Sequence, residues 1–108
     1  MQFRLAYDNY LKYISNHLKV SSFMDKIKIF EKFILPTFNY ARIEELTKEQ
    51  LKQWQNTLEH YGYKYKSKIR GYLYNFLGFC EYEYEIPNAM KKVRNFARNK
   101  YASKNSYN

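Results

Sequence analysis

Cysteine occurs once, at position 80, and histidine only at 17 and 60. A lone thiol closes no internal disulfide, and these three residues cannot supply a tetrahedral zinc set. Cys80 therefore reads as a small core residue. With three glycines and two prolines in 108 residues, turns are too scarce for a fold of many short strands, which predicts a few long helices. No run of about 18 apolar residues is present to cross a membrane. The opening MQFRLAYDNYLKYISNHLK carries charges where a signal peptide needs an unbroken apolar centre, so a soluble cytoplasmic chain is expected. A glycine-rich phosphate loop is missing too. Glu81, Glu83 and Glu85 lie two apart and turn to different faces of a helix, so they form no paired-carboxylate site. His17 and His60 fall near expected helix ends, where a polar ring suits exposed carbonyls. Neither a cofactor nor an enzymatic activity is expected of this chain.

Apolar and aromatic side chains are plentiful. Hydrophobic residues make up 45% of the sequence and aromatics 20%, with 13 Tyr and 8 Phe, enough for one modest core. Charge is uneven. Residues 1–60 hold 9 Lys/Arg against 7 Asp/Glu, whereas residues 61–108 hold 10 against 3. Such an excess attracts polyanions, because each phosphate neutralised by Lys or Arg releases condensed counterions.

Periodicity predicts four helices in an all-α bundle. Phe3, Tyr7, Tyr10, Leu11, Ile14 and Leu18 line one face of a first helix over residues 2–18. Ser22 is expected to cap a second over 23–34, with Asp25 favouring its positive end and Pro36 stopping it. Thr47 and Gln50 form a capping box, with Leu46 and Leu51 as a hydrophobic staple, for a third helix reaching His60. Gly62 would close that helix in left-handed geometry. The fourth, over 66–84, carries the apolar stripe Ile69, Tyr72, Leu73, Phe76, Leu77 and Cys80, with Pro87 as its limit. Residues 1–88 are thus expected to form the domain. Residues 89–108, with six basic and no acidic side chains, read as a frayed helix or linker.

The fourth helix holds the strongest binding signal. Lys64, Lys66, Lys68 and Arg70 crowd its N-terminus, where the dipole already favours anions and cations repel one another. Opposite the apolar stripe fall Ser67, Gly71, Tyr74 and Gly78, with Arg70 and Asn75 at the edges. Two glycines on an outer face lose roughly 1 kcal/mol each against alanine, which suits the close approach of a DNA backbone or of another protein. Ser21, Ser22 and Lys28 on the second helix form a further candidate contact.

The order of these elements resembles the N-terminal core-binding, or SAM-like, domain of phage-type integrases. The resemblance runs through Phe3, Tyr10-Leu11, Ser21-Ser22, Ile34-Leu35-Pro36-Thr37-Phe38, Ile43-Glu44-Glu45-Leu46-Thr47 and Trp54 to Phe79-Cys80. The ending Ile86-Pro87-Asn88 departs from the family's Ile-x-x-Asn-Pro. The resemblance implies a C-shaped clamp on double-stranded DNA, with the second and fourth helices near the major groove and other integrase protomers on the same site. A separate domain would carry the catalytic Arg, Lys, His and Tyr and cut DNA through a phosphotyrosine. Neither histidine here is followed by Arg three positions on, so no catalytic residue is assigned and the fragment is not expected to cleave DNA. On this reading Lys64, Lys66, Lys68 and Arg70 hold phosphates while Ser67, Tyr74 and Asn75 face the groove. Ser21, Ser22 and Lys28 grip neighbouring backbone, and Lys91, Lys92 and Arg94 begin a linker along the DNA. A helical protein-interaction module with a basic face is the alternative. An anionic membrane surface is disfavoured by the single apolar stripe on each helix.

Overall fold

The computed structural model describes residues 1–98, and within them every named element is helical. Helix α1, Phe3–Ser15, buries Phe3, Tyr7, Tyr10 and Ile14 of the expected stripe together with Ala6, while Leu11 is only partly buried. It ends before Leu18. The chain then turns, and the next helix starts earlier than expected, with α2 spanning Val20–Ile29. Lys19, extended at φ −63° and ψ 152°, occupies the N-cap position and makes no side-chain cap. Ser21 and Ser22 therefore lie inside the first turn. Asp25 sits beyond that turn and faces Lys68 and Tyr72 instead of the helix's positive end.

Pro36 does not stop the second helix. A wide turn over Phe30–Ile34 carries the chain into α3, Leu35–Phe38, with Pro36 near the start of α3. Proline has no N–H, and its ring crowds the carbonyl four residues back. The wide turn changes that register: the Leu35 N–H reaches back five residues to the Phe30 carbonyl, and Ile34 relaxes to φ −110°. The Trp54 indole donates 2.7 Å to the Phe33 carbonyl and ties the helix that carries it to this turn.

Helix α4, Lys48–Asn56, opens on the expected capping box. Thr47 N–H donates to Gln50 Oε1 at 2.9 Å and Gln50 N–H donates to Thr47 Oγ1 at 3.1 Å, while Leu46 and Leu51 are buried as the staple requires. The helix ends at Asn56, short of His60. Gly62 has φ −62° and ψ 156°, so it opens α5 as an extended N-cap and does not close α4 in left-handed form. Helix α5 runs from Tyr63 to Tyr84 and ends on Glu85, whose φ of 58° is left-handed.

Phe76 of α5 lies at the centre of the core. Its ring centroid is 4.9 Å from Phe3, 5.3 Å from Tyr10, 5.7 Å from Phe30 and 6.4 Å from Tyr7. Cys80 is fully buried beside them, and burial pushes its thiol up to about 12, which leaves it protonated and inert at neutral pH. Burial likewise raises the Tyr7 and Tyr10 phenols to about 12.

The domain does not end at residue 88. A tight turn at Ala89–Lys92 is capped by the Asn88 side chain, which accepts from the Met90 N–H at 3.0 Å and donates to the Tyr74 carbonyl at 3.2 Å. Met90, Val93 and Phe96 are buried in the core. Residues 89–96 are thus part of the folded unit, which corrects the boundary expected from their polar composition: three apolar side chains at a spacing of three suffice to dock the segment. The rest of the expected linker, residues 99–108, lies outside the described residues.

Candidate nucleic-acid interface

Basic residues at 64, 66, 68 and 70 step about 200° around a helix, so alternate members face opposite sides. The structure places them accordingly. Arg70 is only 7% exposed; its Nε donates to Gln55 Oε1 at 2.6 Å and its Nη2 to the Val93 carbonyl at 2.8 Å. Burial pulls its pKa down, and among the described residues no carboxylate pairs with it. Carbonyl oxygens and the Tyr74 ring, 5.8 Å away, surround the guanidinium. Lys66 pairs with Glu59 at 2.6 Å and lies 4.8 Å from the Phe96 ring centre. The four cations therefore do not form the continuous ridge expected of them: Lys66 and Arg70 hold residues 93–96 against α4 and α5.

The outward side carries Lys64, Lys68 and Asn75, all exposed. Gly71 and Gly78 share it, and a Cβ added at either would meet nothing within 4 Å among the described residues. Internal packing thus makes no demand for glycine there, and the surface is free for a close approach. Ser67 and Tyr74 are half-buried at its margin, less outward than expected. The Ser67 Oγ is buried without a partner.

Asp25 fixes the seam between this face and α2. Tyr72 donates its hydroxyl to Asp25 Oδ2 at 2.6 Å, and Lys68 Nζ sits 2.8 Å from the same oxygen. Hydrogen bonds from Lys68 and Tyr72 hold the Asp25 carboxyl below its usual range, and Lys28 lies near enough to lower it further. Lys26 covers the Tyr72 ring at 3.9 Å. Ser21, Ser22 and Lys28 remain exposed on α2 beside this seam. The structure thereby joins Lys28, Lys64, Lys68 and Asn75 to one α2–α5 face and separates Lys66 and Arg70 from it. Sequence reasoning gave Asp25 to the start of the second helix and Tyr72 to the apolar stripe, and it did not mark Lys26. The only signal of the seam was that Lys68 and Tyr72 are one turn apart.

On the other flank of α5, Lys91 pairs with Glu81 at 2.7 Å. Lys92 and Arg94 are exposed and line a groove with Lys48 and Lys52 of α4, two residues that no sequence motif marked. Among the described residues no His, Cys, Asp and Glu group could hold a metal ion, and no helix is long and apolar enough to cross a membrane.

A family model described as phage integrase, N-terminal SAM-like domain, matches residues 2–59, which span α1 to the end of α4. No curated protein and no solved structure gives a significant match.

Proposed function

Because this chain belongs to the phage integrase N-terminal SAM-like domain family, we propose that it is the core-binding module of a site-specific tyrosine recombinase and grips duplex DNA through its α2–α5 face. The observation that carries this reading is the open side of α5, where Lys64, Lys68 and Asn75 flank two glycines that no packing among the described residues requires. Lys28 and Lys64 neutralise phosphates, releasing counterions. Lys68 is shared with Asp25 and contributes less charge. Gly71 lets a sugar-phosphate strand come close, and the Asn75 amide is suited to an adenine edge in the major groove. In the parent recombinase a separate domain with catalytic Arg, Lys, His and Tyr cuts the strand, and further protomers occupy the same recombination site. Within these 108 residues the family match covers only the N-terminal module.

Fluorescence anisotropy with labelled duplex, titrated against salt, tests the proposal. Lys28→Gln with Lys64→Gln should weaken binding about tenfold at low salt and make the salt slope shallower by roughly 2. Unchanged affinity and slope would reject the α2–α5 face. Tight binding to an acidic protein in place of DNA would favour the protein-interaction reading.

A further inference from the structure

The groove between α4 and residues 92–97 has a volume of about 480 Å³. Lys48 and Lys52 stand on one wall and Lys92 and Arg94 on the other. Among the described residues none of the four has an acidic partner within 4.0 Å. Glu59, the one acidic residue in the lining, is neutralised by Lys66 at 2.6 Å. The arrangement works against the helix: Lys48 occupies the first turn, where the dipole disfavours a cation, and Lys48 and Lys52 repel each other one turn apart. The floor is fixed. Gln55 accepts from Arg70 at 2.6 Å through Oε1 and donates to the Arg94 carbonyl at 2.8 Å through Nε2, so its amide is held in place between the two walls.

We infer that this groove is a second phosphate-binding site, which holds nucleic-acid backbone on the flank of α5 away from α2. The inference rests on the duplex-binding reading and extends it to residues outside the α2–α5 face. Phosphates match the groove better than an acidic protein does. A protein partner needs a buried aromatic or aliphatic anchor, and the large apolar side chains here, Val93 and Phe96, are 5% and 6% exposed and already belong to the core, which leaves only the small Ala97 open. Distributed cations over a rigid floor are what backbone contacts require, since they position a duplex without reading its sequence.

The test uses the full chain and a labelled duplex over a salt series. Lys48→Gln with Lys52→Gln should weaken binding about tenfold at low salt and lower the salt slope by roughly 2, equally for every duplex sequence. Lys92→Gln with Arg94→Gln should do the same. Arg4→Gln with Lys12→Gln removes the same net charge on α1 and should have a much smaller effect. Melting curves identify any pair that acts through unfolding, and the two groove pairs, on separate elements, check each other. If both groove pairs behave like the Arg4 and Lys12 control while Lys28→Gln with Lys64→Gln still weakens binding, the groove site is overturned and the α2–α5 reading stands. If the unaltered chain binds no duplex, both fall. Polyglutamate displacing the duplex at equal charge concentration would also overturn the inference, in favour of an acidic protein.

Discussion

The two flanks of α5 use the same residue types for opposite purposes. Facing residues 93–96, Lys66 and Arg70 are drawn in by Glu59, Gln55 and a main-chain carbonyl. On the open side Lys64 and Lys68 stay at the surface. The difference teaches that a basic cluster in a helical sequence is two clusters, because a spacing of two residues alternates sides. Which half serves the fold depends on what packs beside it.

The most severe way to break this contrast is to remove the segment that creates the inward flank. A chain ended at Asn88 loses Met90, Val93 and Phe96 from the core. Each such side chain contributes about 1.5–3 kcal/mol on burial, and domains of this size have only about 5–15 kcal/mol in total. The truncated chain should be largely unfolded at 37 °C by circular dichroism, whereas a chain ended at Arg98 should melt cooperatively. Equal stability of the two would mean that residues 89–98 are a linker after all.

Arg70 comes next. Arg70→Met keeps the length of the side chain but leaves Gln55 Oε1 and the Val93 carbonyl without their donor, at a cost of about 2–4 kcal/mol in denaturant unfolding. Duplex affinity per folded molecule should change little. A variant of full stability that had lost DNA binding would return Arg70 to the contact surface.

Much of this architecture was legible because it depends on local rules. The capping box at Thr47 and Gln50, the stripes of α1 and α5, and the aromatic core all follow from spacing. The features that were not legible depend on tertiary partners. Pro36 marks a helix end by its own chemistry, yet a five-residue wide turn absorbs it. Gly62 carries the freedom of a left-handed cap, but the start of α5 needs that position extended. Arg70 has the chemistry of a phosphate ligand. Only the return of Val93 to the α4–α5 junction gives it a main-chain carbonyl to bind, and no local pattern encodes that return. Asp25 was misread for the same reason, since its partners lie 43 and 47 positions away.

A finer comparison sets Lys64 against Lys66. Lys64→Gln should weaken duplex binding about three- to fourfold near physiological salt, the loss of one phosphate contact. Lys66→Gln should change affinity less than twofold, because its charge is already matched by Glu59. Equal losses would mean that the Glu59 pair opens on binding and that the inward flank is not closed to DNA.

The smallest expected effect concerns the seam itself. The folded-state pKa of Asp25 is depressed, so the unfolded chain takes up its proton first as pH falls. The stability it contributes is therefore fully present above the ordinary carboxylate range and is lost below it, as pH drops through the lowered value. With the carboxylate 39% exposed, solvent screening keeps this contribution small. Asp25→Asn should slightly lower the melting temperature at pH 7, and its difference from the unaltered chain should shrink as pH falls below the ordinary carboxylate range. The same substitution removes a negative charge from the DNA-facing surface and releases Lys68, so duplex affinity at pH 7 should rise about twofold. A variant that loses both stability and affinity would show that Asp25 mainly sets the angle between α2 and α5. A gain in affinity with a small loss of stability would show that the outward flank, like the inward one, commits part of its charge to the fold.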